Sequence, residues 1–129
     1  MKDKRNILLV EDDIVDAMTV RRALNDLKVT NTLNTVANGE EALEFLHESQ
    51  NEHPGIILLD LNMPKMNGIE FLKIMKNDNS LKRIPVVVLT TSQEEQDKIE
   101  SFNLGIAGYM IKPVDYLQFV ETMRTINLY

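Results

Sequence analysis

Three stretches of the chain are continuously apolar: Ile7–Val10, Ile56–Leu59 and Pro85–Leu89 (PVVVL). Unbroken runs of β-branched and aliphatic residues suit strands covered on both faces, as in a parallel sheet. Thr32–Ala37 (TLNTVA) is mixed and suits an edge strand, and Gly108–Ile111 (GYMI) is a last short candidate. Between the runs the apolar spacing changes to three and four. Asp13 fits an N-cap, and Ala17, Val20, Leu24 and Leu27 follow at helical spacing. Asn38-Gly39 signals a turn before Ala42, Leu43, Phe45 and Leu46; Gly68 precedes Ile69, Leu72 and Met75. Ser92 fits a cap for the stretch Gln93–Leu104, with Glu94 and Glu95 in the first turn, where the helix dipole favours acids. Its apolar positions are few, chiefly Ile99, Phe102 and Leu104, which predicts the most exposed helix of the set. Asp115 fits a cap for a final helix carrying Phe119, Val120, Met123 and Ile126. Strand and helix thus alternate five times. That order predicts an α/β fold: a parallel sheet with right-handed crossovers and helices on both faces.

Composition narrows the class. The 129 residues suit one domain, and no linker, repeat or low-complexity segment interrupts them. With 14 Lys and Arg against 20 Asp and Glu, the net charge of −6 argues against holding a nucleic-acid backbone. The absence of cysteine excludes a disulfide framework, a thiolate metal site and a cysteine nucleophile. The start MKDKRN runs into only four apolar residues, too few for a signal-peptide core or a membrane span, so a cytoplasmic protein is expected. There is no GxGxxG, Walker A or GxSxG motif.

The chemistry gathers at the ends of the apolar runs. In open α/β sheets, ligands bind beyond the carboxyl ends of the strands. The first run ends in Glu11, Asp12 and Asp13, the run at 56–59 in Asp60, the run at 85–89 in Thr90, Thr91 and Ser92, and the last in Lys112-Pro113. Parallel strands would bring all of these to one edge. Carboxylates crowded together favour a cation, and an oxygen-only donor set favours Mg²⁺. A carboxylate beside Mg²⁺ and a lysine can act as a nucleophile toward phosphorus. This chemistry nominates Asp60 as phosphoryl acceptor, Asp12 and Glu11 as metal-side carboxylates, Lys112 as charge clamp and Thr90 as hydroxyl partner. Taken singly, each residue has a plainer role: a cap, a turn, a surface lysine, a β-branched strand end. Their conjunction at successive strand ends is the signal. His47 and His53 read as surface residues, the seven methionines as core or loop filler, and Pro64 as a residue that fixes the loop after Asp60.

The motifs ILLVEDD (Ile7–Asp13), LLDLNMPKMNG (Leu58–Gly68), VVVLTTS (Val86–Ser92) and GYMIKP (Gly108–Pro113) resemble those of the receiver domains of two-component response regulators. The resemblance spans essentially the whole chain. It implies a flavodoxin-like doubly wound sheet in the order 2-1-3-4-5, forming a single receiver domain over residues 1–129 without an output domain. It implies Asp60 as phosphoacceptor and metal ligand, Asp12 as a direct Mg²⁺ ligand, Glu11 as one acting through water, and the Asn62 backbone carbonyl as a further ligand. Thr90 matches the switch hydroxyl, Tyr109 the aromatic switch, Lys112 the family's lysine, and Lys112-Pro113 a bond that is usually cis. Asp13 falls one place beyond the acidic pair and is left as a helix cap. Two positions depart from the common pattern: Thr91, where a smaller residue is frequent, and Asn67, where Asp is frequent. The larger Thr91 is expected to narrow access to the acyl phosphate.

The implied activity is signalling. A sensor histidine kinase donates a phosphoryl group to Asp60, and a surface of the fourth helix, fifth strand and fifth helix then changes its affinity for a partner. That surface would serve an unnamed downstream protein, a second copy in a homodimer, or a histidine protein receiving onward phosphotransfer. VVVLTTS followed by SFNLGIAGYMIKPVDYLQF further resembles stand-alone receivers that serve phytochrome-type kinases. Catalysis would be limited to the domain's own phosphorylation and dephosphorylation. Two other readings remain at this point. One is a Mg²⁺-dependent phosphohydrolase of the haloacid dehalogenase type. It typically carries a second Asp two places after the nucleophile, where this chain has Asn62. The other is a receiver-shaped interaction module that is never phosphorylated.

Overall fold

The computed structural model describes residues 4–48, 52–63 and 65–128. Strands and helices alternate strictly: β1 (Ile7–Val10), α1 (Ile14–Asp26), β2 (Leu33–Val36), α2 (Gly39–His47), β3 (Ile56–Asp60), α3 (Gly68–Lys76), β4 (Val86–Thr90), α4 (Gln93–Glu100), β5 (Gly108–Ile111) and α5 (Tyr116–Thr125). The five strands form one parallel sheet in the order β2-β1-β3-β4-β5. The mixed run is the edge strand β2, and the three continuously apolar runs fill the centre, as patterning on two faces requires.

Alternation along each central strand feeds two cores. Leu8, Val10, Ile57, Leu59, Val86 and Val88 face α2, α3 and α4. Ile7, Leu9, Ile56, Leu58, Val87 and Leu89 face α1 and α5. A register slip of one residue would exchange these sets, so burial on both faces pins the pairing.

The strand ends differ slightly from expectation, and the differences matter. Asp60 and Thr90 are the last residues of β3 and β4 rather than the first beyond them. Both are nearly inaccessible to solvent, so the polar edge of the sheet begins inside the hydrogen-bonded ladder. Pro85 lies before β4, where its carbonyl accepts from the Ile57 N–H. The expected caps are present: Asp13 accepts from Val15 N and Asp16 N, Ser92 from Glu95 N, and Asp115 from Gln118 N.

Two local readings are corrected. Asn38-Gly39 is a helix start and not a turn: the Asn38 side chain accepts from Glu41 N, and Gly39 opens α2. The fourth helix stops at Glu100, four residues short of the expected Leu104. The Ser101 hydroxyl donates to the Lys98 carbonyl at 2.6 Å, and Asn103 turns to φ +51°, a conformation no helix continues. Ile99 is the one buried residue of α4, and Phe102 is 41% exposed. The helix is therefore the weakly anchored one that its sparse pattern predicts. Among the described residues no helix is long and apolar enough to cross a membrane.

Candidate functional site

Three strands deliver the acidic side chains and the ammonium to one place. Glu11 follows β1, and its N–H is held by the Val36 carbonyl. Lys112 follows β5, and its N–H is held by the Thr90 carbonyl. Asp60 closes β3 between them. The Lys112–Pro113 peptide bond is cis.

The Lys112 ammonium is the hub. Its Nζ lies 2.8 Å from Glu11 Oε1, 3.0 Å from Asp60 Oδ1 and 3.0 Å from Asp16 Oδ2. The contacts to Asp60 and Asp16 are aligned as hydrogen bonds, whereas the one to Glu11 is an ion pair off the hydrogen-bond direction. Burial alone would pull Lys112 down, but Glu11, Asp60 and Asp16 outweigh it and hold the ammonium above the ordinary lysine range. Glu11 shows the opposite balance. Burial pushes its carboxyl up to about 7, the Lys112 ammonium draws it back in part, and the Asp60 charge adds to the rise.

Asp16 was not expected from the sequence. The signal was available: once Asp13 caps α1, residue 16 falls in the first turn, beside the strand ends that carry Glu11 and Asp60. Asn67, where the family pattern often has Asp, has a structural role here. It caps α3 through a reciprocal box with Glu70, at 3.0 Å from Glu70 N to the Asn67 side chain and 3.3 Å from Asn67 N to the Glu70 carboxylate.

Glu11, Asp12 and Asp60 each offer an oxygen within 4.8 Å of the others, with Asp12 exposed and the other two buried. A purely oxygen donor set with one open side fits a hard divalent cation that keeps some of its waters. A cavity of about 570 Å³ opens over these groups, and Asn62, Thr91 and Lys112 also line it. Thr90 is wholly buried, and its hydroxyl has no hydrogen-bond partner among the described residues. An orphaned buried hydroxyl is costly. It stands one register step past the Asp60–Leu89 pairing.

Tyr109 does not join this cluster. It pairs in register with Val88 and packs half-buried on the face that α4 covers. Thr90 has the same strand parity as Val88 and so points to the same face. Pro64 lies outside the described residues.

Comparison with known proteins agrees with this arrangement. The model of the response regulator receiver domain matches residues 7–124. The response regulator Rcp1 of Synechocystis is 41% identical over 120 residues, covering 87% of this chain and 82% of that protein. Its Mn²⁺-bound structure superposes with a TM-score of 0.78, covering 96% of this chain and 94% of the other at 37% identity. The bacteriophytochrome response regulator RtBRR gives a TM-score of 0.91 at 38% identity, covering 98% of this chain and 80% of the other. The phosphorylated cyanobacterial phytochrome response regulator RcpA gives 0.75 at 38% identity, covering 98% and 91%. The chain belongs to the response regulator receiver family, with the flavodoxin-like fold and the two-component signalling role of that family.

Proposed function

We propose that this receiver takes a phosphoryl group on Asp60 from a sensor histidine kinase, with Mg²⁺ as its divalent ion. The observation that carries the reading is the buried Asp60 carboxylate, held 3.0 Å from the Lys112 ammonium, with oxygens of Glu11 and Asp12 within 4.8 Å of its own. An Asp60 carboxylate oxygen attacks the phosphorus of a phosphohistidine. The P–O bond forms, the P–N bond breaks, and the imidazole nitrogen leaves with the bonding pair. Lys112 orients Asp60 and neutralises charge on the transferring group. Glu11, Asp12 and the backbone carbonyl of Asn62 would hold the cation, which supplies electrostatic stabilisation of the phosphoryl oxygens.

After transfer, the Thr90 hydroxyl finds its acceptor in a phosphoryl oxygen. Thr90 and Tyr109 lie on the face that α4 covers, so a shift of one frees or fills space for the other beneath a weakly anchored helix. That supports the surface formed by α4, β5 and α5 as the one that changes. The donor approaches over α1: Ile14, Val15 and Met18 are 76%, 69% and 54% exposed, and Ile14 and Val15 line the mouth of the Asp60 cavity. An apolar rim around an acidic site suits an apolar helix face presenting a phosphohistidine. The names of the phytochrome-linked relatives make a phytochrome-type kinase, acting in the cytoplasm, the first to try. A phosphohydrolase would need an acid/base two residues after Asp60. Asn62 is an amide, and its nitrogen donates to Glu95.

Intact-mass spectrometry after incubation with acetyl phosphate tests the reading. One added phosphoryl group is expected in the wild type with Mg²⁺, and none in Asp60→Asn or in EDTA. Equal addition to Asp60→Asn would overturn it.

A further inference from the structure

Glu95 stands in the first turn of α4, and its carboxylate collects donors from two loops. Thr91 N donates to Oε1 at 3.4 Å, Thr91 Oγ1 donates to Oε2 at 3.3 Å, and Asn62 Nδ2 donates to Oε2 at 3.3 Å. Thr91 and Asn62 both line the Asp60 cavity, while Glu95 and Asn62 line the neighbouring groove of about 750 Å³ beneath α4. The carboxylate therefore sits on the divide between the phosphoacceptor cavity and the underside of the weakly held helix.

A helix cap accounts for part of this. Ser92 Oγ already accepts from Glu95 N at 3.2 Å, which satisfies the first turn in the ordinary way. What a cap does not explain is the reach to Asn62, a residue of the loop after β3, and the choice of Thr91 N in place of the cap residue's own N–H. All three donors are of the kind that holds an anion, and all border the place where an anion arrives. Each bond is long by the standard of about 2.9–3.0 Å for N–H···O or about 2.7–2.8 Å for O–H···O, so the carboxylate is held loosely enough to be displaced.

We infer that Glu95 is a built-in anion that occupies Thr91 and Asn62 until Asp60 is phosphorylated, and that its displacement by the phosphoryl group is what releases the N-terminal end of α4. The inference rests on phosphorylation at Asp60. A phosphoryl group carries close to two negative charges and three strong acceptors, so it both repels the carboxylate and competes for its donors. Thr91 and Asn62 then turn to the new anion, and Glu95 swings to solvent. The tether between the two loops and α4 is lost while the Ser92 cap stays. Glu95 is thus a positioning residue acting through Thr91 and Asn62. The same geometry makes it a barrier to phosphorylation, because an incoming dianionic donor meets cavity-lining Thr91 and Asn62 already bound to a carboxylate.

The test uses Glu95→Gln, Glu95→Ala and Ser92→Ala, each followed in two ways. Phosphorylation by acetyl phosphate with Mg²⁺ is timed by intact mass. Amide hydrogen exchange across residues 93–100 is measured with and without beryllium fluoride and Mg²⁺ as a stand-in for the acyl phosphate. Both Glu95 variants are expected to phosphorylate faster, by roughly two- to fivefold, the scale on which one exposed charge acts. In Glu95→Ala the unloaded protein should already show the faster α4 exchange that the wild type shows only when loaded. Ser92→Ala loosens the helix end and should leave the phosphorylation rate at the wild-type value, which separates charge at the mouth from loss of a cap. Wild-type rates in both Glu95 variants, or a full exchange response to loading in Glu95→Ala, would overturn the inference and leave the phosphoacceptor reading standing. A wild type that neither takes a phosphoryl group nor responds to beryllium fluoride would overturn both.

Discussion

Glu11→Gln isolates the electrostatic cost built into the carboxylate cluster. Glu11 is 3% exposed, and burial raises its carboxyl to about 7, with the Asp60 charge adding to the effect and Lys112 opposing it. A carboxyl raised in this way binds its proton more tightly in the folded chain than in the unfolded one. Its contribution to stability is therefore fully present below the ordinary value of 4.5 and is lost as the pH rises through about 7. That interval converts to about 3 kcal/mol at roughly 1.36 kcal/mol per pH unit. Glutamine keeps the shape and cannot titrate. Urea denaturation of both proteins in EDTA, at steps from pH 4.5 to 8, gives the difference between them. The variant should gain on the wild type by about 3 kcal/mol across the window. A difference that stays flat with pH, or that moves toward the wild type as pH rises, would refute the reasoning.

Other consequences follow from single contacts. Thr90→Val removes a buried hydroxyl that has no partner, so urea melts should show a gain of roughly 1 kcal/mol; a loss would mean the hydroxyl is satisfied in the resting protein. A Cβ at Gly68 would stand 2.8 Å from the Asp60 carbonyl oxygen and 2.9 Å from Leu61 Cα, so Gly68→Ala should cost roughly 1–3 kcal/mol and disturb the acceptor strand. At Gly39 the crowding atoms belong to the Met66 side chain, which can move, so Gly39→Ala should cost less in the same urea melts. Asn67→Ala breaks the capping box of α3 and should cost about 1 kcal/mol by denaturation.

The fold was legible because its signals are redundant. Continuous apolar runs marked the central strands, a mixed run marked the edge, and three acidic or hydroxyl caps marked helix starts where they occur. The residues meeting at Lys112 could be nominated because a parallel sheet sends every strand's carboxyl end the same way. What the sequence hid were contacts set by helix rotation and loop path. Asp16 reaches Lys112 only because α1 starts where it does, and 96 positions separate the two residues. Glu95 read as a dipole residue because its second role depends on a loop 33 positions away. The early end of α4 was missed because Phe102 and Leu104 continue a helical spacing that Ser101 and Asn103 break through backbone geometry. Asn38-Gly39 misled because asparagine serves turns and N-caps by the same side-chain acceptor.

The measurement that bears most directly on the central claim is chemical mapping of the phosphoryl group. Acyl phosphates are reduced by borohydride, which turns a phosphorylated aspartate into homoserine at the modified position. After acetyl phosphate and Mg²⁺ treatment, peptide sequencing by tandem mass spectrometry should place homoserine at residue 60 and leave Asp12, Asp13 and Asp16 as aspartate. Homoserine at one of those three positions, or none anywhere with the phosphoryl group still bound, would contradict the account.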